Sequence, residues 1–143
     1  MSILTFDVVK KAVLDAGFEV FRAKGSTIQL AQRVRSHLMD AQVSVHVADV
    51  ITVSFVVRSQ RSDFPTDGEN DLFARVRRGV EGRATTHGFR ESSATSRTLH
   101  DPVDASRVLD VWHELTFSKS TTDLTTLIAD LRCALTMPKC VTD

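Results

Sequence analysis

Five histidines, His37, His46, His87, His100 and His113, are the side chains of this 143-residue chain best suited to moving protons near neutral pH. They are scattered, and no pair has the H-x-x-x-H spacing that sets two metal ligands on one helical face. His113 stands apart. In "RVLDVWHELTFSK", residues 107–119, it shares one side of an alternating strand with Leu109, Val111, Leu115 and Phe117. An imidazole there is either a buried general base or, more commonly, a core-edge histidine bonded to a carbonyl or hydroxyl. Asp110 and Glu114 occupy the other side with Trp112 between them. Their Cα atoms would lie ~13.6 Å apart along a strand, too far for paired-carboxylate catalysis. Trp112, on the more polar side, is either covered by another element or an exposed binding anchor.

Other motifs fail on spacing. "RRGVEGRATT", residues 77–86, has glycines, basic residues and threonines, but Gly79 and Gly82 are three apart and Ala84 follows Arg83. A phosphate loop requires G-x-x-x-x-G-K-[ST] between a strand and a helix, and this stretch reads as helix interior. Asp63, Asp67, Glu69 and Asp71 resemble a calcium loop, yet Pro65 and Ala74 stand where the third and twelfth ligands belong. No serine sits in a G-x-S-x-G elbow.

Binding is therefore better founded than catalysis. The stretch "VRSQRSDFP", residues 57–65, mixes Arg58, Gln60, Arg61, Asp63 and Phe64 in a loop longer than the usual connection, and such loops often carry function. Phe64-Pro65 fits equally a plug tacking that loop to the core. Residues 89–99 hold Ser92, Ser93, Thr95, Ser96 and Thr98, a hydroxyl-rich strand that reads as a solvated edge or as one open to strand addition. The candidate binding residues are Arg58, Gln60, Arg61, Asp63, Phe64, Trp112 and His113.

Eighteen basic residues balance eighteen acidic ones. Such balance lowers the expectation of nucleic acid as partner, although Arg75, Arg77, Arg78 and Arg83 form a local basic run. Near-zero net charge favours burying sticky surface in an oligomer. The opening "MSILTFDVVKKAVLDAG" reads as an amphipathic helix and not as a signal peptide. No run approaches the ~18 apolar residues of a membrane span. Cys133 and Cys140 are too few for a disulfide framework, so a cytoplasmic setting is expected.

These residues must be positioned by a single α+β domain spanning 1–143. A helix is expected over Thr5–Ala16, its inner face Phe6, Val9, Val13 and Ala16, ended by Gly17 as a left-handed cap. A short strand follows over 18–23. Residues 26–41 read either way. As a helix they have a Ser26/Gln29 capping box and a stripe of Leu30, Ala31, Val34, Leu38 and Ala41. As a strand they have Ile28, Leu30, Val34 and Leu38 on one face, interrupted by Gln32 and Ser36. The helix explains both cap and stripe and is taken here. Residues 42–59 read as a hairpin, about Glu69 to Thr86 as a helix ended by Gly88, and 89–99 with 107–119 as a second hairpin. The final helix opens with Ser120 and Asp123 in capping-box spacing, carries Leu124, Leu127, Ile128, Leu131 and Leu135, and stops at Pro138.

The order α-β-α-ββ-α-ββ-α predicts a two-layer sandwich with four to five mainly antiparallel strands and helices mostly on one face. In element order alone, and on no motif, this resembles type III secretion chaperones and related small binding domains, from which the extra early helix departs. The expected function is a non-catalytic interaction or assembly module: chaperone-like, a secretion or virion component, or a regulator. It would act with a protein partner or as a homo-oligomer, without cofactor or metal. The alternative is a small-ligand binder or enzyme with a pocket near His113 and an anion clamp from arginines such as Arg58 or Arg90.

Overall fold

The computed structural model describes residues 4–141. Its elements are α1 (Phe6–Asp15), β1 (Glu19–Lys24), β2 (Thr27–Val34), β3 (His37–Val47), β4 (Ile51–Gln60), a 3₁₀ turn (Arg61–Asp63), α2 (Glu69–Thr86), β5 (Arg90–His100), β6 (Val108–Thr121) and α3 (Leu124–Thr136). The strands form one six-stranded antiparallel sheet in the order β1-β2-β3-β4-β6-β5. The fold is α+β, with more strands than expected.

The extra strands come from residues 26–41, which are not a helix. Val34 pairs with His37, leaving Arg35 and Ser36 as a two-residue hairpin loop. Both have positive φ, 53° and 72°, which the right-handed twist of the flanking strands demands of such a loop. The usual residues there are Asn-Gly, so Arg-Ser hides the turn. The alternation is also broken. The β2–β3 register slips between Gln29 and Ala31, and Gln42 takes φ 58° with its N–H donated to Asp40 Oδ1 at 2.8 Å. The slip places Leu30 and Ala31 both inward, which is why the run imitates a helical stripe. Beyond this bulge, residues 32–39 of β2 and β3 pair only with each other, leaving Val34, Leu38 and Met39 exposed.

Contacts gather the chain into two compact units. The first takes the chain up to Phe55 together with Ser118–Met137. The second takes Val56–Phe117 and the chain from Pro138. β4 and β6 each contribute to both. Within the first unit α1 packs against α3 and α3 against β3, and within the second α2 packs against β5.

In the first unit Thr5 Oγ1 caps α1 by accepting from Val8 N–H, and Gly17 follows the helix with φ 92°. Val9 and Val13 are buried with Ile28, Leu30, Val43, Val45, Ile51, Val53 and Phe55. Asp123, and not Ser120, caps α3. Its carboxylate accepts from the N–H groups of Thr125 and Thr126. α3 buries Leu127, Leu131 and Ala134, and also Asp130, which is 5% exposed. Lys119 Nζ donates to Asp130 Oδ1 at 2.8 Å, while Asp130 Oδ2 is buried without a partner.

In the second unit α2 matches its expected span. Asp71 reaches back to accept from Gly68 N–H at 3.3 Å, and Gly88 takes φ 85° beyond the helix end. Phe89 is fully buried next to it. Both Gly-Phe joints therefore work alike: glycine turns the chain out of a helix, and a strand starts behind a phenylalanine.

The Lys119–Asp130 pair carries a sharp stability consequence. Removing one partner of a buried pair leaves a charge uncompensated. Lys119→Met should lower unfolding free energy by about 3 kcal/mol in urea titration. The double variant Lys119→Met/Asp130→Leu should recover most of that loss, and a double variant as unstable as the single would contradict it.

Candidate functional site

Successive residues of a strand point to opposite faces, so Trp112 and His113 found two separate clusters, both within the second unit. The sequence groups Arg58 with His113, but they belong to different faces. β4 and β6 alternate strictly there: Val57, Ser59, His113, Leu115 and Phe117 are buried, whereas Arg58, Gln60, Asp110, Trp112 and Glu114 are half-exposed.

On the half-exposed face Arg58 lies over the Trp112 ring, its guanidinium carbon 3.8 Å from the centroid. Trp112 is thus half-exposed with an arginine stacked on its ring. A guanidinium at this distance is held by the ring's negative face. Arg58 Nε is buried without a hydrogen-bond partner. The arginine is fixed from behind by the chain's last described residues: Arg58 N–H donates to Lys139 C=O at 3.0 Å and Arg58 C=O accepts from Val141 N–H at 2.8 Å, forming a parallel bridge to Cys140. Burial pushes the Cys140 thiol up, an effect that the Arg58 charge opposes. Neither Cys140 nor Cys133 is part of a disulfide.

Asp110 organises the loop above this cluster. It accepts from Ser62 Oγ at 2.7 Å, Ser62 N–H at 3.0 Å, Val111 N–H at 2.8 Å and Trp112 Nε1 at 3.2 Å. Burial pushes its carboxyl up, but the Ser62, Val111 and Trp112 hydrogen bonds outweigh it and hold the pKa below the ordinary value. This carboxylate is what turns residues 61–63 into a 3₁₀ turn over β6. Sequence reading weighs Asp110 only against Glu114, as too distant for a dyad; its partner Ser62 is 48 residues away.

Of the other expected site residues, Gln60 is half-exposed at the end of β4, and Arg61 and Asp63 lie exposed in the turn. Phe64 is 4% exposed, which fits the plug. Arg75 lies 3.9 Å over its ring and is ion-paired to Asp67.

His113, on the buried face, is 5% exposed. Phe73 meets its ring edge-on at a centroid distance of 5.1 Å, and Ser96 Oγ bonds its Nδ1 at 2.8 Å. A cleft of 410 Å³ opens beside it, lined by Arg61, Glu69, Leu72, Ser96, Thr98 and Val111 among others. Neither Arg58 nor Arg90 lines it; the arginine present is Arg61. Sequence reading assigns Glu69 to a failed calcium loop and Ser96 and Thr98 to an edge strand, and does not join them to His113, since only folding brings the start of α2 and the middle of β5 to β6.

β5 is an outer strand of the sheet, and all but one of its eleven residues are exposed. Its charges are drawn back onto its own unit. Arg77 on α2 holds Glu91 through Nε at 2.9 Å and Nη2 at 3.0 Å, which keeps the Glu91 carboxyl below its ordinary range. Arg97 pairs with Glu114 at 3.7 Å. Arg75 and Arg77 are therefore neutralised, which halves the basic run. Among the described residues no group of three or more His, Cys, Asp or Glu could hold a metal ion, and no helix is long and apolar enough to cross a membrane.

No family model, curated protein or solved structure matches this chain.

The depressed Asp110 pKa fixes a pH signature. A carboxylate whose folded pKa lies below its unfolded value contributes stability above the unfolded pKa and loses it as pH falls through the folded one. Asp110→Asn should destabilise by about 1 kcal/mol at neutral pH. The gap to wild type should close as pH falls into the acid range, and a gap independent of pH in paired denaturation curves would refute this role.

Proposed function

We propose that the protein is a non-catalytic interaction module that extends its sheet at β5, with a second copy of the chain as the added strand. The observation that carries this reading is the outer position of β5 and its exposure along eleven residues. Edge strands present a row of unpaired backbone N–H and C=O groups, and natural proteins blunt them with proline, bulges or charge. β5 contains no proline, and its acid Glu91 is held by Arg77.

The side chains admit a copy of the same strand. Antiparallel pairing of two β5 strands about Ala94 sets Glu91 opposite Arg97 at both ends. Ser92 then faces Ser96, Ser93 faces Thr95, and the two Ala94 residues meet on the two-fold axis. Glu91, Arg97, Ser92 and Ser96 already have partners within their own chain, so the backbone ladder carries the contact, and a two-fold pairing is self-complementary by construction. Net charge of zero adds no long-range repulsion between copies.

Light scattering across a concentration series should show a monomer–dimer equilibrium. Ala94→Lys places two like charges on the axis and should abolish the dimer while leaving circular dichroism unchanged. A wild-type chain that remains monomeric at every concentration, or a dimer indifferent to Ala94→Lys, would overturn the reading.

A further inference from the structure

Beyond strand addition, the cleft beside His113 has the makings of a ligand site. His113 is 95% buried, and its Nδ1 is tied to Ser96 Oγ at 2.8 Å. Ser96 Oγ is also 3.3 Å from Glu69 Oε1. A hydroxyl has one proton. Donation to the carboxylate is the charge-assisted choice, so Ser96 accepts from His113 Nδ1–H. With Nδ1 as the donor, Nε2 is the ring nitrogen left to accept; His113 makes no other hydrogen bond among the described residues and lines the cleft. A ring nitrogen that opens on a cleft without acceptor duty can take a hydrogen bond from a ligand donor.

The rest of the cleft describes that donor's carrier. Arg61 supplies a guanidinium, and α2, which starts at Glu69 after Gly68 has given its own N–H to Asp71, adds the positive end of an 18-residue helix. Thr98 adds a hydroxyl, while Leu72 and Val111 make an apolar wall. Asp67, also at the rim, is neutralised by Arg75. At 410 Å³ the cleft has room for roughly a dozen water-sized groups at ~30 Å³ each.

We infer that this cleft binds a small oxyanion bearing a hydroxyl group, the anion on Arg61 and the α2 N-terminus and the hydroxyl donating to His113 Nε2. Glu69 acts as a positioning residue through Ser96. The head group is a carboxylate or a phosphate ester, which share this chemistry.

Long-range ¹H–¹⁵N spectra of the imidazole rings test it. The free protein should show His113 as the neutral Nδ1–H tautomer, and Glu69→Ala should move it towards Nε2–H, because Ser96 then turns its proton to the ring. Glycerate or glycerol 3-phosphate should shift the Nε2 resonance saturably. Inorganic phosphate and glycerol alone should not. Response to only one of the two anions assigns the head group. Arg61→Gln, at an exposed position off β5, should weaken the response about tenfold, equal to about 1.4 kcal/mol. An Nε2–H tautomer in the wild type would overturn the inference. So would silence of His113 to both hydroxy-anions, or an equal shift from inorganic phosphate. Because Arg61 is not on β5, these outcomes are separable from failure of the edge-strand reading.

Discussion

Strict two-residue alternation along β4 is the constraint on which the rest of the molecule depends. From Ile51 to Gln60 every odd residue is buried and every even one is half-exposed. A slip of one residue would put Val53, Phe55 and Val57 in water and bury Arg58. β6 obeys the same period through His113, Leu115 and Phe117. In the first unit this shared phase lets Ser54 meet Ser118 at 2.8 Å and Thr52 meet Ser120 at 3.3 Å on the less buried side. In the second it puts Arg58 over Trp112 on one face and leaves His113 on the other.

Charge is handled by the same economy in both units. Formal neutrality is not the result of dispersed surface charges alone, for the carboxylates most withdrawn from solvent have named donors. Asp130 has Lys119, Asp67 has Arg75, and Asp110 has four hydrogen bonds. These partners do more than stabilise. Arg75 pairs the Asp67 carboxylate at the cleft rim, Ser96 serves the Glu69 carboxylate within it, and Arg77 holds the one acid of β5.

Some of this was legible in sequence because it follows from short-range rules. Glycine is strongly preferred for the helix-to-strand turns at Gly17 and Gly88, and periodicity within ten to eighteen residues placed α1, α2, β5 and β6. The face of His113 followed from its neighbours in β6. The β2–β3 hairpin was not legible, for two reasons. Its loop uses Arg35-Ser36 where turn chemistry points to Asn-Gly, and a bulge near Gln42 shifts the phase of the apolar residues halfway along. There one β2 residue, Leu30, stands opposite three of β3, Ala41 to Val43; adjacent positions Leu30 and Ala31 are both buried, and the run counterfeits a helical stripe.

The chain's sequence thus determined the element types wherever one period held unbroken, the buried side of β4 and of β6 from His113 to Phe117, and the neutrality of the whole. Only tertiary structure decided which polar groups meet: Ser62 with Asp110, Ser96 with both His113 and Glu69, and Arg61, not Arg58, with the cleft. The physical reason is range. Periodicity acts through the geometry of consecutive residues, whereas these contacts join segments separated by 17 to 48 positions. Sheet order alone brings such segments to within hydrogen-bonding distance.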